Sequence, residues 1–449
     1  MDTALFVNLI IIAVGLIIFI VSMIDYAIAF AIFLSIYPII YTAPVIEGWG
    51  GYNPSRIIVL LLFIVSLIKI KPYWQQIPFK GIIYSYLLFM LMLLISVMLS
   101  ELPKETFTRS LIYLLPIMFY CCTLVVVISN KKGLRYIFLA FIIGFTLTTV
   151  YGLLEIIMQR NILVDFGIIV QEYEWMTDIR LDYGRITSFI GQPVITSLYY
   201  IFTIPAIYFI RKQYIESKLV KQFLLIILMM AIVCVLYTGS RTGLVGLVLL
   251  IIIYFALSPQ EFNIARLLTI CLLMIGIIYF IAPSGFLTYS VASFDISKPV
   301  TEETQNFLGR FEVTYAMLDL ARENLLFGFG PGYLLKMKDA YGVFVEVAGM
   351  ENQYAALVAD AGICGLVTFL IFLITIFKAS GKIRGSKNDF VKGWAIIFIS
   401  IFWVLVTTGF TYMYIVTIVY DLIMVYFGIQ IGLSYIESRE QLLENCHYE

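Results

Sequence analysis

Thirteen apolar runs recur along the chain, at about 4–24, 26–43, 55–70, 80–100, 109–129, 134–158, 193–210, 222–238, 242–257, 266–284, 353–377, 393–409 and 412–436. Each has the length a helix needs to cross roughly 30 Å of hydrocarbon, about 17 to 25 residues. In lipid a helix satisfies all its backbone polar groups within one segment, so such runs leave few alternatives. The expected fold is an all-α polytopic membrane protein with 12 or 13 transmembrane helices. Composition agrees, with 62% hydrophobic and 13% charged residues, against about 25% charged in an ordinary soluble domain. The first run lacks a basic leader and a small-residue cleavage site, so no cleavable signal peptide is expected.

Four short connections are rich in Lys and Arg: "KIKPYWQQIPFK" (69–80), "NKKGLR" (130–135), "RKQYIESKLVK" (211–221) and "KASGKIRGSKNDFVK" (378–392). An even number of spans separates each from the next, and the positive-inside rule assigns all four to the cytoplasm. Three segments then face outward: 159–192, the turn "YTGSRTG" at 237–243, and the loop 285–352. Thirteen spans put the N-terminus outside, and one re-entrant terminal run would reverse that without moving these segments.

The chain therefore divides into N-terminal transmembrane helices (1–158), an extracytoplasmic segment (159–192), transmembrane helices with the Arg turn (193–284), a long extracytoplasmic loop (285–352), C-terminal transmembrane helices (353–436) and a cytoplasmic tail (437–449). Within the long loop, "RFEVTYAMLDLAREN" carries Phe311, Tyr315 and Leu318 at helical spacing, which predicts an amphipathic helix lying on the membrane or the bundle. It runs into "LLFGFGPGYLL", where Gly328, Gly330, Pro331 and Gly332 break the helix.

Several chemistries are disfavoured at once. With 29 basic and 29 acidic residues the net charge is zero, so nothing attracts nucleic acid in bulk. Cys121, Cys122, Cys234, Cys271 and Cys364 fall in apolar runs and Cys446 near the end, none with metal-ligand spacing, which reads as packing. The single histidine, His447, is third from the end. The outward segments hold no Asp-x-Asp pair and no His/Cys/carboxylate cluster, so no bound metal and no cofactor is expected.

The outward arginines are the candidates for chemistry. The 35 residues from Phe223 to Leu257 barely make two crossings, so the turn holding Arg241 is tight and near the hydrocarbon boundary. A charge there costs about 2.5–3.5 kcal/mol at full depth and much less if it snorkels, which makes a snorkelling interfacial arginine the plain alternative. Arg310 opens the loop helix, and Arg180 and Arg185 lie in "DIRLDYGRITSFIGQP"; each has a solvated or headgroup-binding alternative. The turn "SFIGQP", with Gln192, feeds a span that starts at Pro193, where a missing N–H is harmless. Glu351 precedes the run at 353–377. There a carboxylate offsets the helix dipole by about 0.3–1 kcal/mol, with Asn352 as N-cap. Tyr173, Trp175 and Tyr183 are suited to stacking on sugar rings or to an interfacial aromatic belt.

Jointly, outward guanidinium groups from three segments and one carboxylate at a helix mouth suit departure of a lipid-linked diphosphate. Three stretches in order resemble the O-antigen ligase and polymerase superfamily of bacterial envelope glycosyltransferases: "RITSFIGQPVITSLYYIFTIP" (185–205), "YTGSRTGLVGLVLLIIIY" (237–254), and 309–372 with its Arg, helix, Gly-x-Gly, Asn and Gly-x-x-Gly. The resemblance implies a fold like the C-type membrane glycosyltransferases and an active site on the outer face of the plasma (inner) membrane. It implies metal-independent, inverting transfer from an undecaprenyl-diphosphate-linked oligosaccharide to a second such molecule. Arg241, Arg310 and Glu351 take the catalytic positions, while Arg185, Arg180, Gln192, Asn352, Tyr354 and Gly330 form the implied substrate-binding set. Membrane lipid and a chain-length regulator protein are the implied partners.

Glu351 stands where the family often has histidine, which tilts the expectation from ligase toward repeat-unit polymerase. A ligase moving finished glycan to a lipid or protein acceptor is the nearest alternative. A flippase or secondary transporter would need related halves and midplane charges, whereas these charges gather on one face. A non-catalytic scaffold would leave the arginines unexplained.

Overall fold

The computed structural model describes residues 3–42, 53–130, 132–166, 168, 185–258, 314–315, 317–319, 321–333, 352–410 and 417–446. Among these residues there are helices and turns and no strand. The helices are α1 (Thr3–Ile24), α2 (Tyr26–Ile40), α3 (Pro54–Ile70), α4 (Gly81–Leu99), α5 (Pro103–Ser110), α6 (Leu115–Ser129) and α7 (Gly133–Met158). After the short α8 (Ile162–Asp165) follow α9 (Pro193–Phe209), α10 (Lys218–Tyr237), α11 (Arg241–Leu257), α12 (Gln353–Ile383), α13 (Asp389–Thr408) and α14 (Ile418–Cys446). Ten of the described helices are long and apolar enough to cross a membrane, and Tyr26–Ile40 and Arg241–Leu257 are shorter apolar helices. The expected run at 266–284 lies outside the described residues, as do Arg180, Arg310, Glu351, Phe311, the aromatics at 173, 175 and 183, and His447.

The helices begin where the sequence supplies caps. Asp25, Asn53, Ser217, Ser240, Asn352 and Asn388 each accept backbone N–H bonds of the turn that follows, meeting donors that lipid could not. Pro54 and Pro193 sit at first positions, as the sequence predicts for Pro193. Helix α14 is the central column, with 94% of its spanning window buried against 28% for α1. It packs along α6 and against α13 and α9. Glycines allow the closest approaches: a Cβ on Gly428 would meet Thr123 Cβ at 2.8 Å, and one on Gly432 would meet Val127 Cγ1 at 2.5 Å. Cys121, Cys122 and Cys234 are buried, as packing residues would be.

Three boundaries differ from the hydropathy reading. Helical structure reaches back from the run at 109–129 to Pro103, through a 3₁₀ turn at Leu111–Leu114. The last helix continues to Cys446 instead of ending at 436. Most consequentially, α12 is not one straight rod, because Gly362 has φ 66° and ψ −170° inside it. The segment 325–330 occupies the break. Ile363 and Cys364 donate to the carbonyls of Leu325 and Leu326 at 2.9 and 3.2 Å, while Phe329 and Gly330 donate to those of Ala359 and Asp360 at 2.8 and 2.9 Å. Backbone groups freed by the break are thus satisfied by protein, a condition for irregular backbone at membrane depth.

The amphipathic stretch before this segment is helical at residues 314–315, 317–319 and 321. Met317 and Ala321 are its buried positions, whereas Tyr315 and Leu318 face outward. The bundle therefore holds a neighbouring face of this stretch from the one the spacing of Tyr315 and Leu318 suggests.

Candidate functional site

Helix α10 ends at Tyr237 and α11 begins at Arg241, so the turn predicted to be tight contains three residues. Ser240 Oγ accepts the N–H of Gly243 at 3.1 Å and caps α11. A Cβ on Gly243 would lie 2.7 Å from Ser197 Cβ, so α11 sits against α9 within its first turn. Arg241 is half-buried at this junction.

Arg185 comes to the same turn from another segment. Its Nε donates to the Thr238 carbonyl at 2.8 Å, and the Ile186 N–H donates to the Tyr237 carbonyl at 3.2 Å. Two of the arginines singled out in the sequence are thereby fastened to one turn. Gln192 is buried at the N-cap of α9, where its carbonyl accepts from the Thr196 N–H at 2.9 Å.

The segment between Arg185 and Gln192 is held by residues that sequence reasoning passed over. Glu155, buried near the end of α7, accepts from the Thr187 and Ser188 N–H groups at 3.0 and 2.7 Å. Asn161 donates to Thr187 Oγ1 and the Ser188 carbonyl at 2.9 and 3.0 Å. Ser188 itself has φ 50°, a left-handed conformation that persists only where its surroundings determine it. Both oxygens of Glu155 are engaged, so it positions this segment.

The mouth of α12 lies at the same end of the bundle. Asn352 Oδ1 accepts the N–H groups of Tyr354 and Ala355 at 3.0 and 3.1 Å, the capping role its sequence position suggests. The Gln353 N–H donates to the Gly409 carbonyl at 2.8 Å, and the Tyr354 hydroxyl donates to the Val406 carbonyl at 2.8 Å. The end of α13 thus holds the residues immediately following Glu351. The same end touches the arginine helix, since a Cβ on Gly246 would meet Val404 and Thr408 at 3.4 and 3.8 Å. Helix α13 bridges the start of α11 and the mouth of α12.

Gly330 belongs to a separate group of contacts around the break in α12. It has φ 94°, and a Cβ there would meet Thr106 at 2.8 Å. Asp360, also buried, accepts from the Tyr113 hydroxyl at 2.9 Å and the Gly332 N–H at 3.2 Å. The Arg109 side chain lies against Gly332, and Tyr333 donates to Glu101 at 2.7 Å. A third buried carboxylate, Asp421 near the start of α14, accepts from the Tyr37 hydroxyl at 2.6 Å. Glu155, Asp360 and Asp421 are each the lone acidic residue of their apolar run. Such residues in a span mark a functional or structural site by default, and that signal was available in the sequence.

Residues 225–370, about a third of the chain, match the family model described as O-antigen ligase. The matched stretch includes the Arg241 turn, the glycines of the α12 break and Asn352, and it leaves out Arg185 and Gln192. Comparison with curated proteins gave no match. Over residues 225–370, in an all-α polytopic bundle, the chain is thus similar to the O-antigen ligase family.

Proposed function

We propose that the protein polymerises polyprenyl-diphosphate-linked oligosaccharide repeat units into O-antigen, capsular or cell-wall polysaccharide on the outer face of the plasma membrane. The acceptor hydroxyl attacks the anomeric carbon of the donor's reducing-end sugar. A glycosidic bond forms as the bond from that carbon to the diphosphate oxygen breaks, and the hydroxyl proton passes to Glu351. Arg241 and Arg185 carry the charge left on the departing diphosphate, with Arg310 assigned the same role from its sequence position. Guanidinium forks match phosphate oxygens and remain charged at every physiological pH, so this route does not require a metal.

The observation that carries the reading is the bond from Arg185 Nε to the Thr238 carbonyl, which fastens a second arginine to the turn that holds Arg241. The bridge made by α13 between this turn and the residues following Glu351 supports the same reading. In this scheme the lipid anchor stays among the apolar helices while the sugars lie above their ends. A chain-length regulator protein is the partner such a polymerase would use.

Ligase activity is the second reading, favoured by the family description at residues 225–370. Deletion of the protein in its host separates the two. Loss of a polymerase leaves single repeat units on the final acceptor, whereas loss of a ligase leaves long chains on polyprenyl lipid. The polymerase assignment fails if the second pattern appears.

A further inference from the structure

The far end of the arginine helix opens a different site. Helix α11 runs from Arg241 to Leu257, and Leu257 with Ser258 lines a cavity of about 480 Å³ at the opposite end. Helix α9 likewise leaves the arginine turn behind and contributes Tyr208, Phe209 and Lys212 to the cavity wall. The third side is the end of α12 and the first turn of α13, with Arg384, Asp389 and Lys392. Three cations and one carboxylate therefore line one partly open cavity. It is the size of a small-molecule site, about 300–1,000 Å³.

Two details give the site its form. Arg384 donates through one terminal nitrogen to the Leu257 carbonyl at 3.0 Å, which holds the guanidinium at the cavity wall while the group retains further N–H donors. Gly393 lets the Phe209 ring come close, since a Cβ there would meet Phe209 Cε2 at 2.8 Å. The floor is consequently aromatic and aliphatic, with Ile396 and Ile397 beside it, and the rim is cationic. Tyr208, 40% exposed, stands at the edge, where an amphipathic ring suits the boundary between hydrocarbon and headgroups.

We propose that this cavity binds the phosphate of an anionic membrane phospholipid, with Arg384, Lys212 and Lys392 on the phosphate and the glycerol and first acyl carbons along Leu257, Ile396 and Ile397. The cations alone would suit any phosphate. The apolar floor, set where the spanning helices end, selects a lipid over a soluble anion, and basic pockets between helices recognise lipid headgroups in this way. The inference goes beyond glycosyl transfer and uses none of the residues assigned to it.

The test uses the full-length protein purified in detergent and titrated with phosphatidylglycerol, phosphatidylcholine or inorganic phosphate, with retained lipid counted by native mass spectrometry. Wild-type protein is expected to retain phosphatidylglycerol over phosphatidylcholine, and millimolar phosphate is expected not to displace it. The Lys212→Gln/Lys392→Gln variant should lose about thirtyfold in phosphatidylglycerol affinity, the scale of removing two cations from a lipid phosphate site. Lys387→Gln, a charge removed outside the cavity lining, should leave it unchanged. If the double variant does not fold, Lys392→Gln alone should give about fivefold. Equal retention of the two lipids, displacement by phosphate, or undiminished affinity in the folded cavity variants would overturn the proposal.

Discussion

Arg185 lies 53 residues before Thr238 in the chain, yet its Nε donates to that residue's carbonyl at 2.8 Å, three residues ahead of Arg241. The two arginines come from different segments, one preceding α9 and one opening α11, and this bond ties the Arg185 side chain to the turn before Arg241. Charged side chains near membrane depth pair with one another or with backbone carbonyls. Here the bond fixes the direction of the Arg185 side chain.

If Arg241 carries leaving-group charge, Arg241→Ala should lower the transfer rate by about 10²–10³-fold, the usual scale for one preorganised donor in a transition state. Arg241→Lys should recover part of the loss, because an ammonium supplies charge without the fork. Both variants should keep the wild-type melting temperature. Rates are read from product formed on a lipid-linked repeat unit.

Glu155→Gln tests the support beneath Arg185. An amide keeps one acceptor oxygen and turns an NH2 toward the Thr187 or Ser188 N–H, leaving donor facing donor. The cost is about 1–3 kcal/mol for a buried group left unsatisfied. Thermal unfolding should report it, and KM for the donor should rise because Arg185 loses its fixed approach. An unchanged KM in a folded variant would remove Glu155 from this role.

The break in α12 predicts a sharp glycine requirement. Gly362 has φ 66° and Gly328 φ 68°, and a Cβ on Gly328 would lie 2.6 Å from the Ala359 carbonyl oxygen. Left-handed backbone alone costs a non-glycine residue about 1–2 kcal/mol, and the steric overlap adds to that. Gly362→Ala and Gly328→Ala should each lower stability by more than 1 kcal/mol, about the strain alone, and should increase protease cleavage near 325–333.

Two glycines of α11 should separate in effect. At Gly243 an added methyl would meet Ser197 at 2.7 Å, whereas at Gly246 the nearest atom would be 3.4 Å away. Gly243→Ala should therefore displace the first turn of α11, lowering both melting temperature and transfer rate. Gly246→Ala should be close to neutral in both measurements.

What could be read from the sequence was local or one-dimensional. Runs long enough to cross the bilayer gave the helices, because hydrocarbon thickness constrains length whatever the tertiary packing. The cap at Asn352, the proline at the start of α9 and the short turn before Arg241 depend on neighbours a few residues away. The rest depended on distant partners. Glu155 acquires its meaning from amides 32 and 33 residues further on. The run at 353–377 looks continuous until residues 325–330 are known to fill the gap at Gly362. Hydropathy is blind to both, since a lone carboxylate or glycine barely changes the mean over a span. The breaker at 328–332 was visible, but its destination inside α12 was not.

The most direct measurement is transfer by purified protein given a synthetic polyprenyl-diphosphate-linked repeat unit, with no metal added and with Arg185→Ala, Arg241→Ala and Glu351→Gln run in parallel. The account predicts a ladder of lengthening products for the wild type and loss of long products for each folded variant. A wild-type ladder from all three variants would contradict it.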